Sequence, residues 1–254
     1  MTELVGIANL TPDSFSDGGQ YNTVDLAVAH IRQLFLDGAA LVDVGAESSR
    51  PGATPVTADE EWQRLEPTLS RFAPDGHRIS IDTYHPETVH RVADLLVDPI
   101  INDVTGFSNP DMVDAVAERR LRCVISHLPK TALGNIAAAH AGIRVNDELQ
   151  VRDELLEAQD LMYMAGIERD RTILDPGIGF GKTSLLSRKL IGFAALVPGE
   201  TVMVGYSRKK FLGPNRLDVS TNLSAATIAV AQKTAYLRVH DVFEHRRFLD
   251  GLEG

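Results

Sequence analysis

The stretch TILDPGIGFGK, residues 172–182, decides how the chain is read. It opens on a short apolar run. Asp175 and Pro176 follow, and then glycine stands at 177, 179 and 181. This is the form of a buried strand that ends on a carboxylate and passes into a loop too glycine-rich for helix or strand. Gly181-Lys182-Thr183 imitates the end of a phosphate-cradling P-loop. That motif needs a glycine five residues before Gly181, and Pro176 stands there. The P-loop reading is rejected, and Lys182 is read as a loop or helix-start residue.

Outward from this stretch, the same unit of apolar run and amphipathic run recurs. Strand candidates are 4–9, 40–45, 78–83, 99–104, 122–127, 172–177, 201–207 and 236–240. Apolar residues at helical spacing follow at 23–37, 58–72, from Pro86, from about Asp111, near 147–165, 184–196 and 220–234, with a short C-terminal helix. Thr57 or Asp59 is the candidate cap of the second helix, and Pro86 suits a first helical position. Near-continuous apolar strands alternating with helices indicate a parallel sheet covered on its outer face. Eight such units in 254 residues predict a closed (β/α)8 TIM barrel, one domain spanning 1–254. A doubly wound sheet is the alternative. It would carry a dinucleotide fingerprint after its first strand, and Asn9-Leu10-Thr11-Pro12 is not one. The Ala-rich segment 128–143 has no clear period and reads as a loop with a helical turn.

Bulk properties narrow the class. The chain is 44% hydrophobic and 24% charged, ordinary globular values. No apolar run is long enough for a transmembrane helix, and Met1-Thr2-Glu3 leads straight into an apolar strand without a signal-peptide start. The single cysteine, Cys123, lies in an apolar run and reads as a small buried hydrophobe. These features point to the cytoplasm. A net charge of -10 makes nucleic acid and acidic membranes poor partners. A small anion is still possible, because a local cluster of basic residues overrides the global field within a Debye length of about 10 Å.

In such a barrel the C-terminal ends of the strands line one open mouth. Here those ends read Asn9, Asp43, Asp82, Asn102, His127, Asp175, Ser207 to Lys209, and Arg238 with His240. A packed interior does not need so many polar groups, and each one buried without a partner costs several kcal/mol. They form either a hydrogen-bonded structural belt or a ligand site, and polar residues at this face more often meet a ligand. Asp82, Asn102 and Asp175 offer acceptors suited to a flat heterocycle rich in N–H groups, such as an aminopyrimidinone. Lys209 is a donor for that ring's carbonyl oxygen or a ring nitrogen. Arg50, Arg238 and His240, with Asn9, suit a phosphate and its metal.

The ordered motifs carry a family resemblance: GIANLTPDSFSDGG (6–19), DVGAESSRPGA (43–53), SIDT (80–83), IND (101–103), DPGIGFGK (175–182), SRK (207–209) and RVHD (238–241). With them the chain resembles dihydropteroate synthase, from Gly6 to Val242. The resemblance implies a TIM barrel that joins 6-hydroxymethyl-7,8-dihydropterin diphosphate to p-aminobenzoate, releasing pyrophosphate, with Mg2+ as cofactor. It assigns Asp82, Asn102, Asp175 and Lys209 to the pterin, and Asn9, Ser49, Arg50, Arg238 and His240 to the pyrophosphate. Asn9 is also the metal ligand. Ser49, Pro51, Phe180, Ser207 and Lys210 go to p-aminobenzoate. Asp17 faces the nascent cation, which makes Asp17, Arg50, Asp82, Asp175, Lys209, Arg238 and His240 the catalytic set. The resemblance further implies a sulfonamide target and a homodimer through helices near the C-terminal half. This chain departs from the family's pattern in having Ser49 for Thr, and Ser126-His127-Leu128 for Met-His-Met.

Two other functions share parts of this pattern. A pterin-binding methyltransferase-type domain would use Asp82, Asn102 and Asp175 but has no need of the SSRPG, SRK and RVH motifs. A catalytically weak paralogue would bind a pterin-like ligand as a regulatory or carrier module, with Ser126 and the 128–143 segment as its signs. Pyrophosphate release that depends on p-aminobenzoate separates the first from a synthase. Complementation of a strain lacking the enzyme separates the second.

Overall fold

The computed structural model describes residues 1–11, 23–49, 52–132, 134–142 and 145–253. Eight strands form a parallel sheet: β1 (Glu3–Asn9), β2 (Leu41–Gly45), β3 (Ile79–Asp82), β4 (Ile100–Asp103), β5 (Arg122–Ser126), β6 (Thr172–Asp175), β7 (Met203–Val204) and β8 (Tyr236–Val239). They are hydrogen-bonded in the order β6-β5-β4-β3-β2-β1-β8-β7. The two ends of that order meet through a parallel bridge, Leu174 to Val202, with Leu174 N donating to Thr201 O at 2.9 Å. The strands therefore wrap into the TIM barrel expected from the alternation.

Helices α1 (Thr23–Leu36), α2 (Ala58–Phe72), α3 (Pro86–Leu95) and α4 (Pro110–Glu118) follow the first four strands. After β5 come a short helix, α5 (Ile136–His140), and the long α6 (Glu148–Met164). Helices α7 (Ser184–Lys189), α8 (Val219–Ala231) and α9 (Val242–Glu253) complete the outer layer. The starts follow local chemistry. Thr57 closes a capping box with Glu60 ahead of α2, and Asn109 and Asp147 accept from the first turns of α4 and α6. The segment expected as one helix over 184–196 splits, α7 giving way to 3-10 turns at Leu190–Leu196 with non-helical backbone at Gly192.

Two layers inside the barrel position the mouth. Val5, Leu41, Ile100, Val124, Ile173, Met203 and Tyr236 pack as an apolar plug. Successive residues of a strand face opposite sides, so the residue two further on returns to the interior. That residue is Asp43 after Leu41, Asn102 after Ile100, Ser126 after Val124, Asp175 after Ile173 and Arg238 after Tyr236. Apart from Ile7 after Val5, a polar layer therefore lies directly above an apolar one. After Met203 the same position is Gly205, where a Cβ would meet Asp175 Oδ2 and Arg238 Cβ at 3.8 Å. The missing side chain leaves room in the floor of the mouth.

Candidate active site

Asp43 is the hub of the polar layer, and it is buried. Its Oδ2 accepts from Asn102 Nδ2 at 3.0 Å and from Arg238 Nε at 2.6 Å. Arg238 Nη2 also donates to Asp82 Oδ2 at 3.0 Å. Burial works against the Arg238 charge, but Asp43 and Asp82 together more than offset it and raise its pKa. Burial, and then the Asp43 charge, push the Asp82 carboxyl up, while Arg238 opposes them. Ser126 Oγ lies 3.4 Å from Asn102 Oδ1, so the small polar residue supports the orientation in which the Asn102 amide donates to Asp43.

Asp175 ends β6 with one oxygen committed to its own loop and one facing the mouth. Oδ1 accepts from Gly177 N at 2.8 Å, whereas Oδ2 has no hydrogen-bond partner among the described residues. Burial raises its pKa, and Lys209 is the largest opposing influence. Lys209 Nζ donates to Ile178 O at 2.6 Å and lies 5.4 Å from the centre of the Phe180 ring. Burial lowers its pKa to about 8. Ser207 Oγ and His240 Nδ1 share a hydrogen bond of 2.9 Å beside this group.

The loop after Asp175 is held from within. Lys182 is buried, and its Nζ meets His127 Nδ1 and Gly177 O at 2.9 Å, Phe180 O at 3.1 Å and His127 O at 3.2 Å. A lysine only donates, so His127 Nδ1 accepts, and His127 Nε2 then carries the proton that goes to Glu154 Oε2 at 3.1 Å. Burial, then the Lys182 charge, bring His127 down to about 4, and burial lowers Lys182 to about 7. Gly177 is required here: its φ is +59°, and a Cβ would stand 2.0 Å from His127 O.

The loop after β2 has its own clasp. Glu47 accepts from the Tyr84 hydroxyl, from His85 Nε2 at 3.1 Å and from Val56 N at 3.3 Å, which ties the two ends of residues 47–56 together. Glu47, Glu61 and His85 could offer a cation three ligand atoms within 4.8 Å of one another. Both Glu47 oxygens already accept, however, and the hydrogen bond to Glu47 raises the His85 pKa, so the group is satisfied within itself.

The structure brings Asp82, Asn102, Asp175, Lys209 and Arg238 to the mouth, with Ser207 and His240 at its edge and Phe180 over Lys209. Ser49 lies on the β2 loop, its carbonyl oxygen 2.8 Å from His140 Nε2. Asn9 ends β1 half-buried, and its side chain makes no hydrogen bond among the described residues. Lys210 is exposed at the start of a 3-10 turn. Asp17, Arg50 and Pro51 lie outside the described residues. Three features went unread in the sequence. Asp43 was seen as a strand end without a role, although its step of two from Leu41 marks it. Lys182 carried a signal only as a failed P-loop lysine. His140, in the segment without period, carried none.

The chain also matches known proteins over nearly its whole length. A model of the family described as "Pterin binding enzyme" matches residues 5–240. Dihydropteroate synthase type-3 of Escherichia coli is 36% identical, over 95% of this chain and 95% of its own length. Xanthomonas albilineans dihydropteroate synthase, solved with 4-aminobenzoic acid, superposes with a TM-score of 0.89 at 34% identity, covering 99% of this chain and 92% of that one. A second structure from that organism, in complex with 7,8-dihydropteroate, gives a TM-score of 0.85 at 32% identity over 99% and 92% of the two chains.

Proposed function

The chain belongs to the dihydropteroate synthase family, and from that premise we propose how its residues divide the work of joining 6-hydroxymethyl-7,8-dihydropterin diphosphate to p-aminobenzoate in folate biosynthesis. The activity is a group transfer. The bond from the pterin methylene carbon to the diphosphate oxygen breaks, a bond to the aniline nitrogen forms, and that nitrogen gives up a proton. The polar layer of Asn102, Asp175 and Arg238 around Asp43, set directly on the apolar plug, is the observation that carries the reading.

In this reading the pterin lies flat on that layer. Asp175 Oδ2, with no protein donor of its own, accepts from ring N–H groups, and Asp82 and Asn102 complete the edge. Lys209 gives one of its two remaining hydrogens to the ring's carbonyl oxygen or a ring nitrogen. The carboxylates of Asp175 and Asp82 stabilise positive charge as it spreads into the pterin during loss of pyrophosphate. Arg238 is not a free anion binder. Its guanidinium is fixed between Asp43 and Asp82, and the N–H groups left over face the leaving group together with His240.

Asn9 fits a hard cation, which takes oxygen ligands and keeps few protein ones where substrate phosphates supply the rest. Its side-chain oxygen is uncommitted at the rim where the diphosphate would lie. Mg2+ bound there supplies charge stabilisation of the departing pyrophosphate. The second substrate stacks on Phe180, with Ser207, Ser49 and Lys210 near its carboxylate. Asp17, Arg50 and Pro51 keep the roles the resemblance gives them. The aniline nitrogen needs alignment more than activation, because the carbon it attacks is strongly electrophilic. The reading includes a cytoplasmic homodimer, and light scattering on the purified chain tests the dimer.

The deciding experiment measures pyrophosphate release by the purified chain with pterin diphosphate and Mg2+, with and without p-aminobenzoate. Release that requires p-aminobenzoate and yields dihydropteroate supports the assignment. Pterin binding without release would point to a methyltransferase-type or carrier domain.

A further inference from the structure

Among its described residues the segment between β5 and α6 contributes no strand to the barrel wall, yet it touches two loops of the mouth. Its helix α5 ends on His140. The Nε2 of His140 lies 2.8 Å from the Ser49 carbonyl oxygen, and a carbonyl only accepts, so this nitrogen carries the proton. The same imidazole lies against the Phe180 ring, with centroids 5.1 Å apart and planes at 37°. Ala138 and Phe180 pack on Leu128, Ala132 and Ala139, an apolar cluster separate from both cores of the barrel. Phe180 is thus held by the 128–140 segment as well as by Lys209. His140 joins this platform to the loop after β2, with β3, β4 and β5 between the two in strand order.

We propose that His140 is a positioning residue for the second substrate, an aromatic amine carrying a carboxylate. It ties the β2 loop at Ser49 to the β6 loop at Phe180 and fixes the ring on which that substrate stacks. The inference rests on the reading that Phe180 meets the p-aminobenzoate ring. Lys182 and Gly177 hold the Phe180 backbone, through Phe180 O at 3.1 Å and Phe180 N at 3.2 Å, but the ring itself is placed by its side-chain neighbours, His140 and Lys209 among them. A neighbour that orders Phe180 in the free protein removes an ordering cost otherwise met on binding.

The test is a set of variants assayed with both substrates. His140→Ala should raise KM for p-aminobenzoate roughly ten-fold, about 1.4 kcal/mol of binding. KM for pterin diphosphate should be unmoved, and kcat should change little. His140→Phe, which retains ring packing without the donor, and His140→Gln, which retains a donor without the ring, should each recover part of the loss. In a Phe180→Ala background, His140→Ala should add nothing, because contacting residues fail to be additive. Three results would overturn the proposal: a parental KM for p-aminobenzoate in His140→Ala, both KM values rising together, or effects that add across the double variant. Should His140→Ala fold poorly, the Phe and Gln variants and their Phe180→Ala doubles give the same readout. A parent chain that makes no dihydropteroate refutes the functional reading, whereas an active parent with an indifferent His140 refutes this inference alone.

Discussion

Lys182 and Lys209 stand on consecutive units of the barrel, both drawn below the ordinary lysine range by burial, yet they meet different numbers of partners. Lys182 faces four acceptors, one on the His127 ring and three on backbone carbonyls. Three hydrogens shared among four acceptors leave nothing for a ligand, and the cation serves to hold the ends of β5 and β6 together. Lys209 has one oxygen, from Ile178, and the face of Phe180. Two of its hydrogens remain, beside a carboxylate with one oxygen uncommitted. Counting remaining donors thus separates a lysine spent on structure from one that the proposed function can use, and proximity to the site does not distinguish the two.

The largest expected effect breaks the ligand side of this comparison. Lys209→Met and Asp175→Ala should each lower kcat/KM by roughly 10³-fold, the scale of lost electrostatic stabilisation at a reacting centre. Thermal unfolding of Lys209→Met should stay near the parent, since only one hydrogen bond is lost. A Lys209→Met enzyme within ten-fold of the parent would place the pterin elsewhere. Lys182→Met should behave the other way. It leaves His127 Nδ1 and the Phe180 carbonyl without the Lys182 donor, and denaturant unfolding should report a loss of roughly 3 kcal/mol. Turnover should suffer less, through a higher KM for p-aminobenzoate.

The pH dependence sharpens the same contrast. Lys209 loses its proton as pH rises through about 8, so kcat/KM for the pterin substrate should fall above that pH. Lys209→Arg should move or remove that alkaline limb, because guanidinium stays charged. For Lys182 the sign concerns stability. The folded chain releases this proton near 7, whereas the unfolded chain holds it to about 10.4. Between those values the unfolded state binds more protons, so this group adds stability as pH rises, by up to about 1.4 kcal/mol per pH unit. Unfolding curves at pH 7 and 9 should therefore differ more in the parent than in Lys182→Met. The smallest effect is expected for Ser126→Met. The Ser126 hydrogen bond to Asn102 is long, at 3.4 Å, and KM for pterin diphosphate should shift within about three-fold.

Much of this was legible in the chain. Short apolar runs at regular intervals announced parallel strands, and the Thr57 cap of α2 and the Pro86 start of α3 fell where the sequence put them. The strand-end acceptors Asp82, Asn102 and Asp175 could be chosen because a strand repeats every two residues and a barrel opens at its C-terminal ends. The seven motifs then identified the family, which a polar rim by itself does not. Harder to see was Arg238. Alone it reads as an anion binder, and in the structure it is clasped by acids 195 and 156 residues away.

Periodicity, turn chemistry and motif order are local properties. For this protein they determined the barrel and the chemical types at the C-terminal ends of its strands, where the candidate site lies. Closing the sheet decided which charges would satisfy each other. It set Arg238 between Asp43 and Asp82, turned Lys182 inward and left Lys209 its donors, and it laid a helix with no sequence pattern against Ser49 and Phe180. Each of those outcomes depends on distances between strands and loops far apart in the chain. Whether a buried polar group is structural or catalytic is settled by such distances, because its energy depends on how many partners it meets.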